Sequence, residues 1–190
     1  MRKSQLDHVL RAAREHSRGA EKFIIIGSQS LHGKHPDIVD EILVSREVDL
    51  FIPGKERLTD LLNGLGEGSL FHETYGYYAD PVSENTALLP KGWKGRLVNL
   101  PPGDTNGAKG LCLEPHDLAV SKYVAGREKD RIFTSALVRM GLLDRDLLHK
   151  RLADTKVDER LRAAAKAAMD RDFKKASAPG AASPGKRRRK

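Results

Sequence analysis

An α+β or mixed α/β core followed by a helical C-terminal region is the fold class this 190-residue sequence predicts. Three observations predict it. Short apolar runs of strand length recur between residues 21 and 115, bounded by Gly, Pro and Asn. Segments with helical spacing of their apolar residues lie between the first of these runs. From Pro115 onward the spacing is helical throughout, with no further strand-like run.

The elements follow in order. "SQLDHVLRAAREHSRG" sets Leu6, Val9, Leu10 and Ala13 on one helical face, with Ser4 as N-cap and Gly19 as stop. "EKFIIIGS" is a continuous apolar run of the kind that forms a buried central strand. "PDIVDEILV" opens on Pro36, a first-turn residue, and predicts a helix with Ile38, Ile42 and Leu43 on one face. "REVDLFIP" is a strand that stops at Pro53 and Gly54, and "KERLTDLLNGLG" is a short amphipathic helix. "FHETYGYYADPV", "GRLVNLPP" and "GLCLEP" are strand candidates separated by the turns "PKGW" and "PPGDTNGAKG". The long stretch 115–143 carries Leu118, Val124, Ile132, Ala136 and Met140 at helical positions, with Gly126 marking a bend or a site of close packing, and two more helical segments follow. The resulting division is a core over 1–113, a helical region over 114–173 and a tail over 174–190.

Composition narrows the function class. Hydrophobic residues make up 39% and charged residues 32%, no apolar run approaches the roughly 20 residues a membrane span needs, and the N-terminus lacks a signal-peptide apolar core, so the expectation is a soluble cytoplasmic protein. The single cysteine, Cys112, excludes an internal disulfide and reads as a small buried hydrophobe. The net charge of +8 suggests nucleic acid until it is located: residues 174–190 hold seven basic residues and no acid, leaving a nearly neutral body. That Pro/Gly-rich tail cannot build a core and reads as disordered, with "KRRRK" able to touch RNA or another polyanion.

The chemistry concentrates in "GS" at 27–28 and "EVD" at 47–49. Side chains alternate along a strand, so Glu47 and Asp49 share one face while Val48 and Leu50 enter the core. Two carboxylates on one face repel unless a cation lies between them, and Mg²⁺ is a hard ion that suits oxygen donors and shares its shell with phosphates. Gly27 permits close backbone approach, and Ser28 offers a hydroxyl and an N–H to a phosphate. Phosphate donors opposite a divalent-metal site are what phosphoryl or nucleotidyl transfer requires.

These residues resemble the polymerase-β-like nucleotidyltransferase superfamily. The fuller run "GSQSLHGKHPD…SREVDLFIP…GEGSLFHETYGYYAD…LPKGW…RLV…CLEPHDLAVSKYVAGREKD" resembles a family of small bacterial nucleotidyltransferases of poorly defined function, DUF6036-like and related to AbiEii-type toxins. The resemblance covers about residues 20–145. It implies a mixed sheet flanked by helices, Mg²⁺ or Mn²⁺ held by Glu47, Asp49 and a third carboxylate, and an NTP substrate with ATP among the candidates. The acceptor it implies is RNA such as tRNA, or protein, with a possible antitoxin partner and no membrane. For the third carboxylate and base, "FHETYGYYADPV" offers Asp80 and Glu73, and Asp80 is the choice because it lies near the end of its strand. The resemblance places Lys122 on the triphosphate and Asp130 as a later acid, with Arg127 assisting and Asp117 holding Lys122 or capping the helix. Two departures stand out: Glu47 replaces the usual Asp, and the segment between Ser28 and Glu47 is longer than usual.

Other signals are set aside. "GKHP" lacks the glycines and the Lys-Ser/Thr of a P-loop, and "GSQSL" fails the nucleophile-elbow pattern. His32, His35, His72 and His116 have no ligand spacing, and Trp93 reads as a packing anchor. A second reading of the whole chain is a catalytically degenerate binding module that contacts nucleic acid through its basic tail.

Overall fold

The computed structural model describes residues 1–38, 42 and 44–178. The chain divides into two units: Met1–Ala87 with Gly92–Glu114, and Leu88–Lys91 with the helical segment from Pro115.

The first unit is a five-stranded mixed sheet flanked by helices. Its strands are β1 (Lys22–Ile25), β2 (Glu47–Phe51), β3 (Tyr78–Pro81), β4 (Val98–Asn99) and β5 (Lys109–Cys112), in the order β3-β2-β1-β5-β4 among the described residues. β1 runs antiparallel to β2 and parallel to β5; β2 runs parallel to β3, and β4 antiparallel to β5. Helix α1 (Lys3–His16) lays Leu6, Val9, Leu10 and Ala13 against Phe23, Ile25, Val48, Leu50 and Ala79, all of them buried. This is the face the alternation of β2 predicts; the opposite face carries Glu47 and Asp49 next to the buried apolar pair Ile24 and Phe51. The cap of α1 differs from expectation: Arg2 takes the N-cap position, and its backbone N–H donates to Gln5 Oε1 at 2.8 Å.

Short helices α2 (Glu56–Asp60) and α3 (Leu70–Tyr75) complete this unit. The second corrects the strand expected from Phe71. Ser69 Oγ accepts the His72 N–H and Gly76 closes the helix with φ of 74°, so cap and stop enclose a six-residue helix and only Tyr78–Pro81 remains as strand. Of the segment 36–44 expected as a helix, residues 39, 40, 41 and 43 lie outside the described set, and the described Pro36, Asp37 and Ile38 are turn and irregular backbone, not helix.

Cys112 is fully buried, and burial pushes its thiol up to about 12. A raised thiol holds almost no thiolate near neutrality, and the thiolate is the nucleophile. A thiol reagent at pH 8 is therefore expected to label the native protein roughly a hundredfold or more slowly than the denatured one. Equal rates would show that the site opens freely.

In the second unit the stretch expected as one long helix is two: α4 (Pro115–Ala125) and α5 (Glu128–Arg139). Gly126, at φ 63°, ends the first in a left-handed turn, so the expected bend is a full break. Helices α6 (Arg145–Ala153) and α7 (Glu159–Ala176) pack with α4, burying Leu118, Val120, Leu148, Leu152, Ala165 and Met169. Helix α7 carries Lys174 and Lys175 in its last turn, so it extends into the segment read as tail; residues 179–190 lie outside the described set. No helix among the described residues is long and apolar enough to cross a membrane.

Candidate active site

β1 delivers the chain to Gly27, where it turns into a 3-10 segment over Ser28–Gly33. The Ile26 N–H donates to the Asp49 carbonyl at 3.0 Å, which brings the Gly27 backbone alongside Asp49. The approach is close: a Cβ on Gly27 would overlap Asp49 Oδ2 outright and stand 2.7 Å from its Cγ. Gly27 has φ of −85°, ordinary backbone for any residue, so glycine is required here for space and not for conformation. Gly27 and Ser28 are half-buried beside the carboxylate.

The parallel pairing of β2 with β3 sets Glu47 opposite Tyr78 and Asp49 opposite Asp80. Residues in register share a face, so Glu47, Asp49, Tyr78 and Asp80 form a two-by-two polar block on the side away from α1. Glu47, Asp49 and Tyr78 are half-buried and Asp80 is exposed. Glu73, the other acid considered for the third position, is an exposed residue of α3 and lies off this strand.

One partner of Glu47 was not foreseen. Tyr78 Oη donates to Glu47 Oε2 at 3.1 Å. Burial, followed by that hydrogen bond, pushes the phenol up to about 12, so it remains a donor at neutral pH. The His72 ring lies against it at 4.6 Å between centroids, and His72 Nδ1 accepts the Gly68 N–H at 3.0 Å. The signal was present in the sequence: Tyr78 precedes Asp80 by the same two-residue step that separates Glu47 from Asp49.

The donor set fits a hard divalent cation, being three carboxylates with no thiolate or imidazole among them. The space that a Cβ at position 27 would fill is taken by one of these carboxylates, that of Asp49. Among the described residues no group of three His, Cys, Asp or Glu side chains is placed to hold a metal ion.

Lys122, Arg127 and Asp130 belong to the second unit, where they form one cluster. Lys122 Nζ lies 3.0 Å from Asp130 Oδ1 and Arg127 Nε 2.6 Å from Oδ2, with the Asp130 side chain wholly buried. Burial pushes the Asp130 carboxyl up, but the Arg127 hydrogen bond and the charge and hydrogen bond of Lys122 outweigh it, holding the group below its ordinary 3.8. Lys122 Nζ also sits 4.9 Å over the Phe133 ring. Asp117, expected to hold Lys122 or to cap the helix, lies in the first turn of α4, and its Oδ1 faces Arg151 Nε at 3.3 Å. Of the scattered histidines, His32 is buried and bonded through Nε2 to the Met1 carbonyl, and His116 Nε2 accepts the Asp144 N–H.

No curated protein and no solved structure matches the chain. A family model does, over residues 4–177, and its description is a nucleotidyltransferase of unknown function. The mixed sheet, with Gly27 seated against an acid-x-acid strand, is consistent with a nucleotidyltransferase fold, and the chain belongs to that family, DUF6036.

Proposed function

We propose that the protein transfers a nucleotidyl group from an NTP to an acceptor hydroxyl, with Glu47, Asp49 and Asp80 holding Mg²⁺ or Mn²⁺. The observation that carries this reading is the Asp49 carboxylate packed on Gly27 with Asp80 in register beside it. A divalent cation bound there supplies neutralisation of phosphate charge and lowers the cost of deprotonating the acceptor. Gly27 and Ser28 take the phosphate oxygens through backbone and hydroxyl donors. Asp80, the exposed member of the block, accepts the acceptor's proton. The acceptor oxygen then bonds to the α-phosphorus as the bond from that phosphorus to the bridging oxygen breaks, and pyrophosphate leaves.

RNA such as tRNA is the acceptor proposed, because the terminal "KRRRK" run supplies polyanion contacts; protein hydroxyls are the alternative arm of the test. A toxin role, countered by an antitoxin partner, belongs to the same proposal and predicts growth arrest on expression. The direct test incubates the protein with each α-labelled NTP, Mg²⁺ or Mn²⁺, and tRNA or total protein. Label is expected in an acceptor and expected to vanish when Glu47 and Asp49 are both replaced by alanine. Label that survives that double replacement overturns the assignment.

A further inference from the structure

Glu47 is one methylene longer than Asp49 and Asp80, its companions on the polar face, and its carboxylate turns about one more bond. An unrestrained extra rotor loses conformational entropy whenever the carboxylate is fixed on a cation. Glu47 is restrained before any ligand arrives. Tyr78, its register partner, donates through Oη to Oε2 at 3.1 Å. The phenol ring is itself backed by His72 at 4.6 Å, and His72 is held by the Gly68 N–H and carried on a helix capped by Ser69.

We infer that Tyr78 is a positioning residue for Glu47: its hydroxyl holds one carboxylate oxygen, so the acid presents a fixed orientation on the face it shares with Asp49 and Asp80. This rests on the nucleotidyl-transfer reading above. It gives Tyr78 a purpose that packing does not supply, since packing needs only the ring, and the ring contact is with His72.

The test is Tyr78→Phe, which keeps the ring and its neighbour and removes the hydroxyl. Mn²⁺ binding to the full chain, with a non-transferable NTP analogue present, is read by electron paramagnetic resonance. Half-saturation is expected to rise about three- to tenfold, the effect of losing one hydrogen bond to a charged group that is partly solvated. The kcat is expected to fall by a similar factor, with KM for the NTP nearly unchanged and Tm within a few degrees of the parent. In a Glu47→Asp background, where the shorter acid falls short of the phenol, adding Tyr78→Phe is expected to change neither quantity. A merely structural tyrosine would lower Tm in both backgrounds and leave Mn²⁺ half-saturation alone. Wild-type Mn²⁺ binding and kcat in Tyr78→Phe, or equal losses in both backgrounds, overturn the inference while leaving the reaction assigned. A parent protein that neither binds Mn²⁺ nor transfers label overturns the reaction and the inference together.

Discussion

Gly27→Ala is expected to lower nucleotidyl transfer about a hundredfold or more, as severely as Asp49→Asn, although it removes no charged or polar group. The reason is spatial. The added methyl claims the volume held by Asp49 Oδ2, and at 2.7 Å from Cγ it cannot be accommodated by turning the carboxylate alone. Asp49 must leave its rotamer, and misplacing a reacting group by about an ångström costs around two orders of magnitude in rate. The backbone has no objection, since φ of −85° is open to alanine, so the fold should survive with an overpacking cost of about 1–3 kcal/mol. Transfer rates at saturating NTP, set beside thermal melts of both variants, check this. A Gly27→Ala protein that keeps nearly full activity would show that Asp49 does not act from this position.

Asp130→Ala is expected to destabilise the helical unit by about 3 kcal/mol or more, the usual consequence of removing one partner from a buried ion pair. Lys122, only 15% exposed and hemmed in by Phe133, loses its counter-ion; Arg127, 61% exposed, can turn to water. The stranded lysine is therefore the main source of the loss, and Lys122→Met added to Asp130→Ala should restore a good part of it. The pH dependence has a definite sign. The Asp130 carboxyl sits below its ordinary 3.8 when folded, so its stabilisation is complete above that value and disappears as pH falls through the lower folded value. The melting-temperature gap between parent and Asp130→Ala should thus be widest at neutral pH and close in acid. A gap of only a degree or two at pH 7 would show the cluster to be ornamental.

Much of this was legible because it depends on alternation, and alternation is local. Glu47 and Asp49 on one face, Val48 and Leu50 on the other, follow from the strand period alone, and the structure keeps that division. Gly126 announced itself as an interruption, though not as a complete break. Less legible were one local cap and the features set by residues distant in sequence. The segment at Phe71 reads as strand by composition, and only the pairing of Ser69 with His72 and the left-handed Gly76 makes it helix. The contact of Gly27 with Asp49 depends on how β1 and β2 align, and the Tyr78–Glu47 bond on how β2 and β3 do. The pairing of Asp117 with Arg151 joins two helices and so lies beyond the reach of helical spacing.

The pairing of β2 with β3 has a further consequence, concerning error. Sliding β3 by a single residue along β2 would turn Tyr78 and Asp80 into the apolar layer beneath α1 and push Ala79, now fully buried, out to water. An aspartate driven into that layer would be a misalignment the fold cannot sustain. The plain residues Val48, Leu50 and Ala79 therefore act as the site's alignment key. Substitutions among them that leave the protein folded but loosen its pairing should damage chemistry on the opposite side of the sheet, at residues they never touch.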